Sequence, residues 1–552
     1  MYRETYRQIV ERLRAVTGRE DVELVDGGAH ADLASTVAFT LAKEQHRSPV
    51  DIAKDLAKRL EEMGNTDYRI ETKGPYLNFH FGNSYLEQSL QAALQEKYGS
   101  MPPRDESVSL EHTSANPNGP LHVGHIRNSI LGDTLTRAFR KAGYQVESQY
   151  YVNDIGRQIA IVVWGLLTLD MHRVGEKGDH YIARVYIAAN RVLEKDTSIV
   201  AEIDRLMQNV EKGDKDLVVR FRNAVSVCLE GIRDTLFALH IAHDRYIWES
   251  DFIRNGDVER VIERIRKMPQ AHQDETLWID LTSEGFVNRY ILRRSDGTTV
   301  YAARDLAFHI WKGRNFDVLI DILGADHKLI GAQLIATLRF LGEKPPVILH
   351  FEFVSLPEGS MSTRAGKFVS ADELITEVTE KAFDEVTKRR GELSEEVQRS
   401  IARSVAIAAI RYDIVKVSPE KSTVFDWREA LDFERQSGPY IQYAHARACS
   451  ILEKADDFDF AYRLDDDHEI ALAKHIARFP FVIEEVVRDL RPHILAAYTR
   501  DLADLFNTFY RYVPVLRSEG IVRDSRLTLV KATQNTLKEA LDTLGIDALA
   551  TM

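Results

Sequence analysis

Residues 107–152 read SVSLEHTSANPNGPLHVGHIRNSILGDTLTRAFRKAGYQVESQYYV, and this stretch decides the fold class. SVSLEH (107–112) reads as a short strand. The turn-rich run 113–121 leads into a segment in which Ile126, Ile130, Leu131, Leu135, Ala138 and Phe139 share one helical face. Gly143 suits the position just past a helix, and QVESQYYV (145–152) reads as a second strand. Strand, crossover helix and strand make a βαβ unit, which implies a parallel sheet. Ligands of an open parallel sheet bind beyond the carboxyl ends of its strands. His122, Gly124 and His125 fall there, at a helix N-terminus whose free N–H groups and dipole attract anions. Gly124 would let a base or phosphate approach the backbone, and the imidazoles can donate to phosphate oxygens as charge develops in a transition state. A chance pair of histidines in a loop, or half of a metal site, also fits these few residues. Zinc is disfavoured, because helical zinc pairs usually sit four apart and no third ligand is suggested.

Working outward, residues 1–70 carry helical periodicity, with Ile52, Leu56 and Leu60 on one face. KGPYLNFHF (73–81) reads as a turn and a short strand, SYLEQSLQAALQEKYG as a helix, and MPPRDES as a linker. Beyond the βαβ unit, residues 160–290 read as a mostly helical insertion that interrupts the α/β pattern. FDVLIDILG (316–324) is a strand followed by a helix from about residue 330. After residue 380 strands become scarce, and Leu502, Leu505, Phe506, Phe509 and Val513 form one stripe of what reads as a separate helical bundle. The expected fold is multidomain α/β plus all-α. A small α+β N-terminal domain (1–100) precedes a Rossmann-like parallel-sheet domain (101–380) with a helical insertion at about 160–290. A helical connector (381–436) and a C-terminal helical bundle (437–552) follow.

The chain has 552 residues, 44% hydrophobic and 28% charged, an ordinary globular composition with room for three or four domains at roughly 100–200 residues each. No apolar run approaches the roughly 20 residues needed to cross a bilayer. MYRETYRQIVERLRAV lacks the apolar centre of a signal sequence. The two cysteines, Cys228 and Cys449, lie far apart and outside any CxxC pattern, so the cytosol is the expected compartment. A net charge of −13 argues against holding nucleic acid by bulk charge and leaves room for a local basic or aromatic surface.

NPNGPLHVGHIRN (116–128) resembles the HIGH signature of the class I aminoacyl-tRNA synthetases in its arginyl-type form. GSMSTRAGK (359–367) resembles the mobile KMSKS loop that closes over ATP in that family. It is not a P-loop, because six residues separate Gly359 from the GK pair and Phe368 stands where Ser or Thr is needed. SGPYIQYAHAR (437–447) resembles the opening of the arginyl-type anticodon-binding domain. The three matches occur in the family's order and cover nearly the whole chain.

The resemblance implies ligation of L-arginine to tRNA through an arginyl-adenylate, with ATP and Mg²⁺ as substrate, no protein-bound metal, and a cytosolic monomer. It also implies that cognate tRNA binds before arginine is activated. His122 and His125 would be catalytic and, with Gly124, Met361 and Ser362, would hold ATP. Ser360 replaces the first lysine of KMSKS, and Gly119 stands where some arginyl enzymes carry a compensating lysine. Arg364 and Lys367 are therefore the candidate cations for the departing pyrophosphate. Glu111, Asn116, Tyr301 and Asp305 would read the guanidinium, with His327 near the α-amino group. A carboxylate pair with a phenol satisfies a planar five-donor fork, which lysine cannot match. Tyr440, Tyr443, Arg447 and Met552 would hold the anticodon loop, and Tyr76 and Asn78 the D-loop of tRNA(Arg). The rivals are another class I synthetase and a tRNA-binding paralogue without catalysis. Missing cysteine ligands disfavour the cysteinyl type, and acidic pocket residues the glutamyl type.

Overall fold

The structure is a computed structural model that describes residues 2–27, 31–64, 68–357, 369–434 and 436–552. At the N-terminus the helices Tyr2–Thr17, Val37–Gln45 and Pro49–Glu62 pack on a four-stranded antiparallel sheet. Its order is Val25–Asp26, Leu33–Ser35, Tyr76–Phe81, Tyr68–Lys73. Ile52, Leu56 and Leu60 bury the expected apolar face, with Phe79 and Leu77 from the sheet opposite them.

Five parallel strands form the centre, in the order Val347–Phe351, Val318–Gly324, Ser107–Glu111, Gln145–Val152, Arg245–Trp248. The chain runs from Ser107–Glu111 outward to one edge, then returns to the other side of that strand. A topological switch point therefore lies between Ser107–Glu111 and Val318–Gly324, and its crevice is where such sheets bind ligands.

The segment 160–290 departs from the mostly helical expectation. The helices Arg157–Thr168, Gly178–Leu193, Ile199–Glu211 and Lys215–Ala238 are present, but Arg245–Trp248 closes the edge of the parallel sheet. Further on, Ala271–Gln273, Leu277–Ile279 and Tyr290–Arg293 make a separate three-stranded antiparallel sheet. Strands of three or four residues are too short for alternation to register, and distant pairing partners define them.

The helix Val123–Lys141 is buried almost all round, as expected of a helix enclosed by other layers rather than lying on a surface. Two guanidiniums with no exposed surface tie it in place. Arg127 donates to the carbonyls of Glu352, Phe353, Ser418 and Lys421. Arg411, on helix Glu395–Val415, pairs with Asp133 at 2.5 Å and donates to the carbonyls of Leu239 and Leu544. Buried guanidiniums need such acceptors on most of their donors, so these contacts fix helix Val123–Lys141 against the insertion, connector and C-terminus together.

The C-terminal helices Gly438–Glu453, Asp467–Asp489, Pro492–Tyr512 and Gly520–Thr543 bury Leu502, Phe506, Phe509 and Val513, while Leu505 is half-buried. Their apolar core is continuous with that of the parallel sheet, so the bundle is not packed as a separate body.

Candidate active site

Glu111 ends its strand, and the chain then takes a costly turn. Thr113 and Ser114 have φ of 68° and 37°, the left-handed region that a β-branched threonine strongly avoids. Tertiary bonds hold the turn: the Thr113 amide donates to Asn128 Oδ1 (2.8 Å) and its hydroxyl to Ser129 Oγ (2.8 Å). The product of the strain is a position for Ser114. Its hydroxyl accepts from the Tyr151 amide (3.0 Å) and donates to Glu111 Oε1 (2.9 Å).

The other Glu111 oxygen accepts from Lys312, which also bonds Asp321 Oδ1 at 2.7 Å. His309 donates through Nε2 to Asp321 Oδ2 (2.7 Å), and its Nδ1 lies 3.1 Å from Asp305 Oδ1. Burial pushes the Glu111 carboxyl up and Lys312 opposes it; both its oxygens accept hydrogen bonds, which is the pattern of a carboxylate. Lys312 and the acids Asp305 and Asp321 outweigh or oppose burial in turn. Lys312 is raised by its two carboxylates, and His309 is raised to about 10 against burial by Asp305 and Asp321. Burial favours a neutral Asp321, but Lys312 and His309 hold it below the usual carboxylate range.

His122 caps helix Val123–Lys141: its Nδ1 accepts from the Gly124 amide (3.1 Å), while the His122 amide donates to His125 Nδ1 (3.3 Å). The rings stack with centroids 3.7 Å apart. With each Nδ1 used as an acceptor, the proton of each neutral ring sits on Nε2. Burial lowers both, and with the His122 neighbour it takes His125 to about 3, so both rings are neutral donors near pH 7. A Cβ on Gly124 would come within 3.0 Å of the His122 ring, so the glycine makes room for the cap itself. The first-turn donors expected to be free for an anion are thus partly used by the histidines.

TVYAARDLAFH is helical from Tyr301, the start of helix Tyr301–Asn315, and places Tyr301 (45% exposed) one turn before Asp305. Asn116 is exposed on the loop before helix Val123–Lys141. His327 follows strand Val318–Gly324 but is mostly exposed, with Asp326 at 3.6 Å as its ion-pair partner. Sequence reading missed Glu249, which follows the edge strand Arg245–Trp248, is 1% exposed and pairs with Arg304 at 3.1 Å. Burial raises it to about 8 against the pull of Arg304, with Asp305 among the nearby charges. The Tyr151 and Tyr290 hydroxyls are buried near Asp305 and have no hydrogen-bond partner among the described residues. Glu249 was hidden because its strand could not be read; the rest of the set carries no local motif.

Ser360, Met361, Ser362, Arg364 and Lys367 lie outside the described residues. Just beyond them, Ser370 forms a bridge with His122, and the Ala371 amide donates to the Leu121 carbonyl at 2.7 Å. Asp372 bonds Lys177, His180 and Thr235 of the insertion, so this segment is moored to the histidine cap and to the insertion at once. Gly119 packs against the insertion helix, where a Cβ would lie 3.2 Å from that of Ala183. Two clusters among the described residues have metal-ligand chemistry, Glu111/His309/Asp321 and Asp179/His180/Asp372. In each, a lysine ammonium already bonds the carboxylates: Lys312 in the first, Lys177 in the second.

Farther away, Tyr440, Tyr443, Arg447 and Met552 line one cavity of about 850 Å³ with Arg389, Arg390 and Arg511. Tyr440 is anchored, donating to Asp504 (2.6 Å) and accepting from Asn507 (2.9 Å). Tyr443 is 42% exposed under the Arg447 guanidinium (4.8 Å), which also bonds Asn507. The Met552 carbonyl accepts from Arg390 at 2.6 Å. In the N-terminal sheet Tyr76 opens to solvent, but Asn78 is 4% exposed. Asn78 lies on a strand paired on both sides, with its side chain covered.

Among the described residues no helix is long and apolar enough to cross a membrane. A family model described as "tRNA synthetases class I (R), catalytic domain" matches residues 89–427. With the parallel sheet and the histidine-capped helix at its switch point, this defines a class I aminoacyl-tRNA synthetase. The models "Arginyl tRNA synthetase N terminal domain" and "DALR anticodon binding domain" match residues 4–81 and 441–552. Arginine–tRNA ligases of Methanoregula boonei and Methanospirillum hungatei are each 63% identical, over 100% of both chains. The solved arginyl-tRNA synthetase of Thermus thermophilus superimposes with a TM-score of 0.88 at 30% identity, over 100% of each chain. The chain belongs to the arginyl-tRNA synthetase family.

Proposed function

We infer that the chain joins L-arginine to tRNA(Arg) in two steps. An arginine carboxylate oxygen attacks the α-phosphorus of ATP, releasing pyrophosphate; the tRNA 3′-terminal ribose hydroxyl then attacks the adenylate carbonyl and releases AMP. The observation that supports the arginine step most directly is the acidic pocket at the switch point. Glu111 is held by Ser114 and Lys312, Asp305 lies one turn from Tyr301, and the buried Glu249 has Asp305 among its nearby charges. A fork of five N–H donors can satisfy these acceptors and the unpaired Tyr151 and Tyr290 hydroxyls, whereas a shorter or singly pointed side chain leaves buried groups unmatched. The neutral His122 and His125 donate to the α-phosphate region as charge builds there. Arg364 and Lys367 are our candidates for the pyrophosphate cation, with Met361 and Ser362 of the same loop and Gly124 beside ATP. Asn116 and His327 complete the arginine site. No covalent enzyme intermediate is needed; positioning and charge stabilisation carry the chemistry.

We read the cavity around Tyr440, Tyr443, Arg447 and Met552 as the anticodon-loop surface. Its four arginines, Arg389, Arg390, Arg447 and Arg511, supply local positive charge on a chain of net charge −13. Tyr76 is our contact for the D-loop. We take the domain limits as 1–100, 101–380, 381–436 and 437–552, and the working form as a cytosolic monomer that uses ATP with Mg²⁺ and no zinc. Pyrophosphate exchange with arginine, ATP and tRNA tests the reading: exchange should require all three. Exchange with another amino acid, or none at all, overturns it.

A further inference from the structure

Lys312 and Asp321 lie behind the two carboxylates assigned to arginine and touch no substrate in that reading. Lys312 comes from the last turn of helix Tyr301–Asn315, and Asp321 from strand Val318–Gly324, where it pairs across the sheet with Glu111. Lys312 has no exposed surface, and Asp321 and His309 are almost as deeply covered. From this position Lys312 grips Glu111 on one side and Asp321 on the other, while His309 links Asp321 (2.7 Å) to Asp305 (3.1 Å). The Lys312 ammonium also lies 4.1 Å from the centre of the Phe308 ring, which leaves its direction little freedom.

The chain ends on Glu111 and Asp305, the two carboxylates assigned to arginine. The charges are also informative. Three carboxylates (Glu111, Asp305, Asp321) face two cations (Lys312, His309), so the assembly carries one net negative charge. In a site this dry an unbalanced charge is costly, and one incoming monocation balances it. We propose that Lys312, with Asp321 and His309, is a positioning assembly. It aims the Glu111 and Asp305 carboxylates into the pocket and leaves a single negative charge, matched to one guanidinium.

The inference rests on the reading that Glu111 and Asp305 bind arginine, and the test separates the two. Arginine and ATP KM values and kcat are measured by tRNA-dependent pyrophosphate exchange, with thermal unfolding in parallel. Lys312→Met should raise the arginine KM about 10²-fold, with the ATP KM nearly unchanged, because Glu111 loses its anchor and the acids lose a cation. In Lys312→Met/Asp321→Asn the net charge returns to −1, and the arginine KM should recover at least about tenfold. Should Lys312→Met fail to fold, Asp321→Asn alone serves: it removes the net charge of the five-residue assembly, and the arginine KM should rise about tenfold while the ATP KM holds. A purely structural role would instead lower the unfolding temperature and move both KM values together, or leave the double variant no better than the single. Either result overturns the inference. Asp305→Asn with an unchanged arginine KM would overturn the arginine reading itself. If Asp305→Asn raises that KM while the Lys312 and Asp321 variants show no selective effect, only the positioning role fails.

Discussion

The acidic cluster we assign to arginine and the cavity of the C-terminal bundle use similar groups under opposite conditions. In the pocket, cations and carboxylates meet at full burial: Lys312 between Glu111 and Asp321, Arg304 on Glu249. In the bundle, Arg447 lies over Tyr443 and Tyr510 at 4.8 and 5.2 Å, on the wall of an open cavity. Coulomb interactions strengthen as the local dielectric falls, so a misfit in the pocket leaves an unpaired buried group. Stacking and cation–π contacts at a wet surface tolerate a partner that shifts or changes. On the proposed reading, the dry region rejects a wrong small substrate and the wet one holds a large, flexible one.

Four measurements would break or sharpen that contrast. The largest effect belongs to the dry region: Asp305→Ala should lower kcat/KM for arginine about 10³-fold, as expected when one partner of a buried charge-assisted contact is removed. A loss below tenfold in exchange kinetics would place Asp305 outside the pocket.

The second effect is on stability. His309 is raised to about 10 in the fold, above its ordinary 6.5 when unfolded. A raised pKa stabilises the fold fully below the unfolded value and loses that contribution as pH rises through the folded value. Stability should therefore fall between about pH 7 and 10, by up to about 5 kcal/mol from this group. Denaturant unfolding across that window should show a flatter slope for His309→Gln; an identical slope would mean His309 is neutral in the fold.

Third, His125→Ala should reduce kcat about 10²-fold, since its Nε2–H donor acts on charge that develops in the transition state. Wild-type turnover in single-turnover adenylate formation would remove His125 from the chemistry. Smallest is the wet region: Tyr443→Ala should raise the KM for tRNA about tenfold, one lost stacking contact of roughly 1–3 kcal/mol, with arginine and ATP unaffected. A large fall in melting temperature instead would make Tyr443 a packing residue.

Local pattern carried much of this molecule. The run 107–152 holds its strand, helix and strand within a few residues of where periodicity puts them, because each depends on neighbours in sequence. HVGH places both histidines at a helix start for the same reason, and TVYAARD puts Tyr301 and Asp305 on one helical face. The edge strand Arg245–Trp248 could not be read. Four residues have too little periodicity of their own, and their partner lies about a hundred residues earlier in the chain.

What the sequence by itself determined was the βαβ unit, the order of the three family motifs and the residue types that a guanidinium and a nucleotide require. Only the tertiary structure decided how those residues are used. It put Lys312 between Glu111 and Asp321, brought Glu249 near Asp305, turned Asn78 under cover, and joined the bundle to the core of the parallel sheet. The physical reason is range. Helix phase and capping are set by residues three or four apart, whereas burial, ionisation and charge balance depend on groups that only the folded chain brings together.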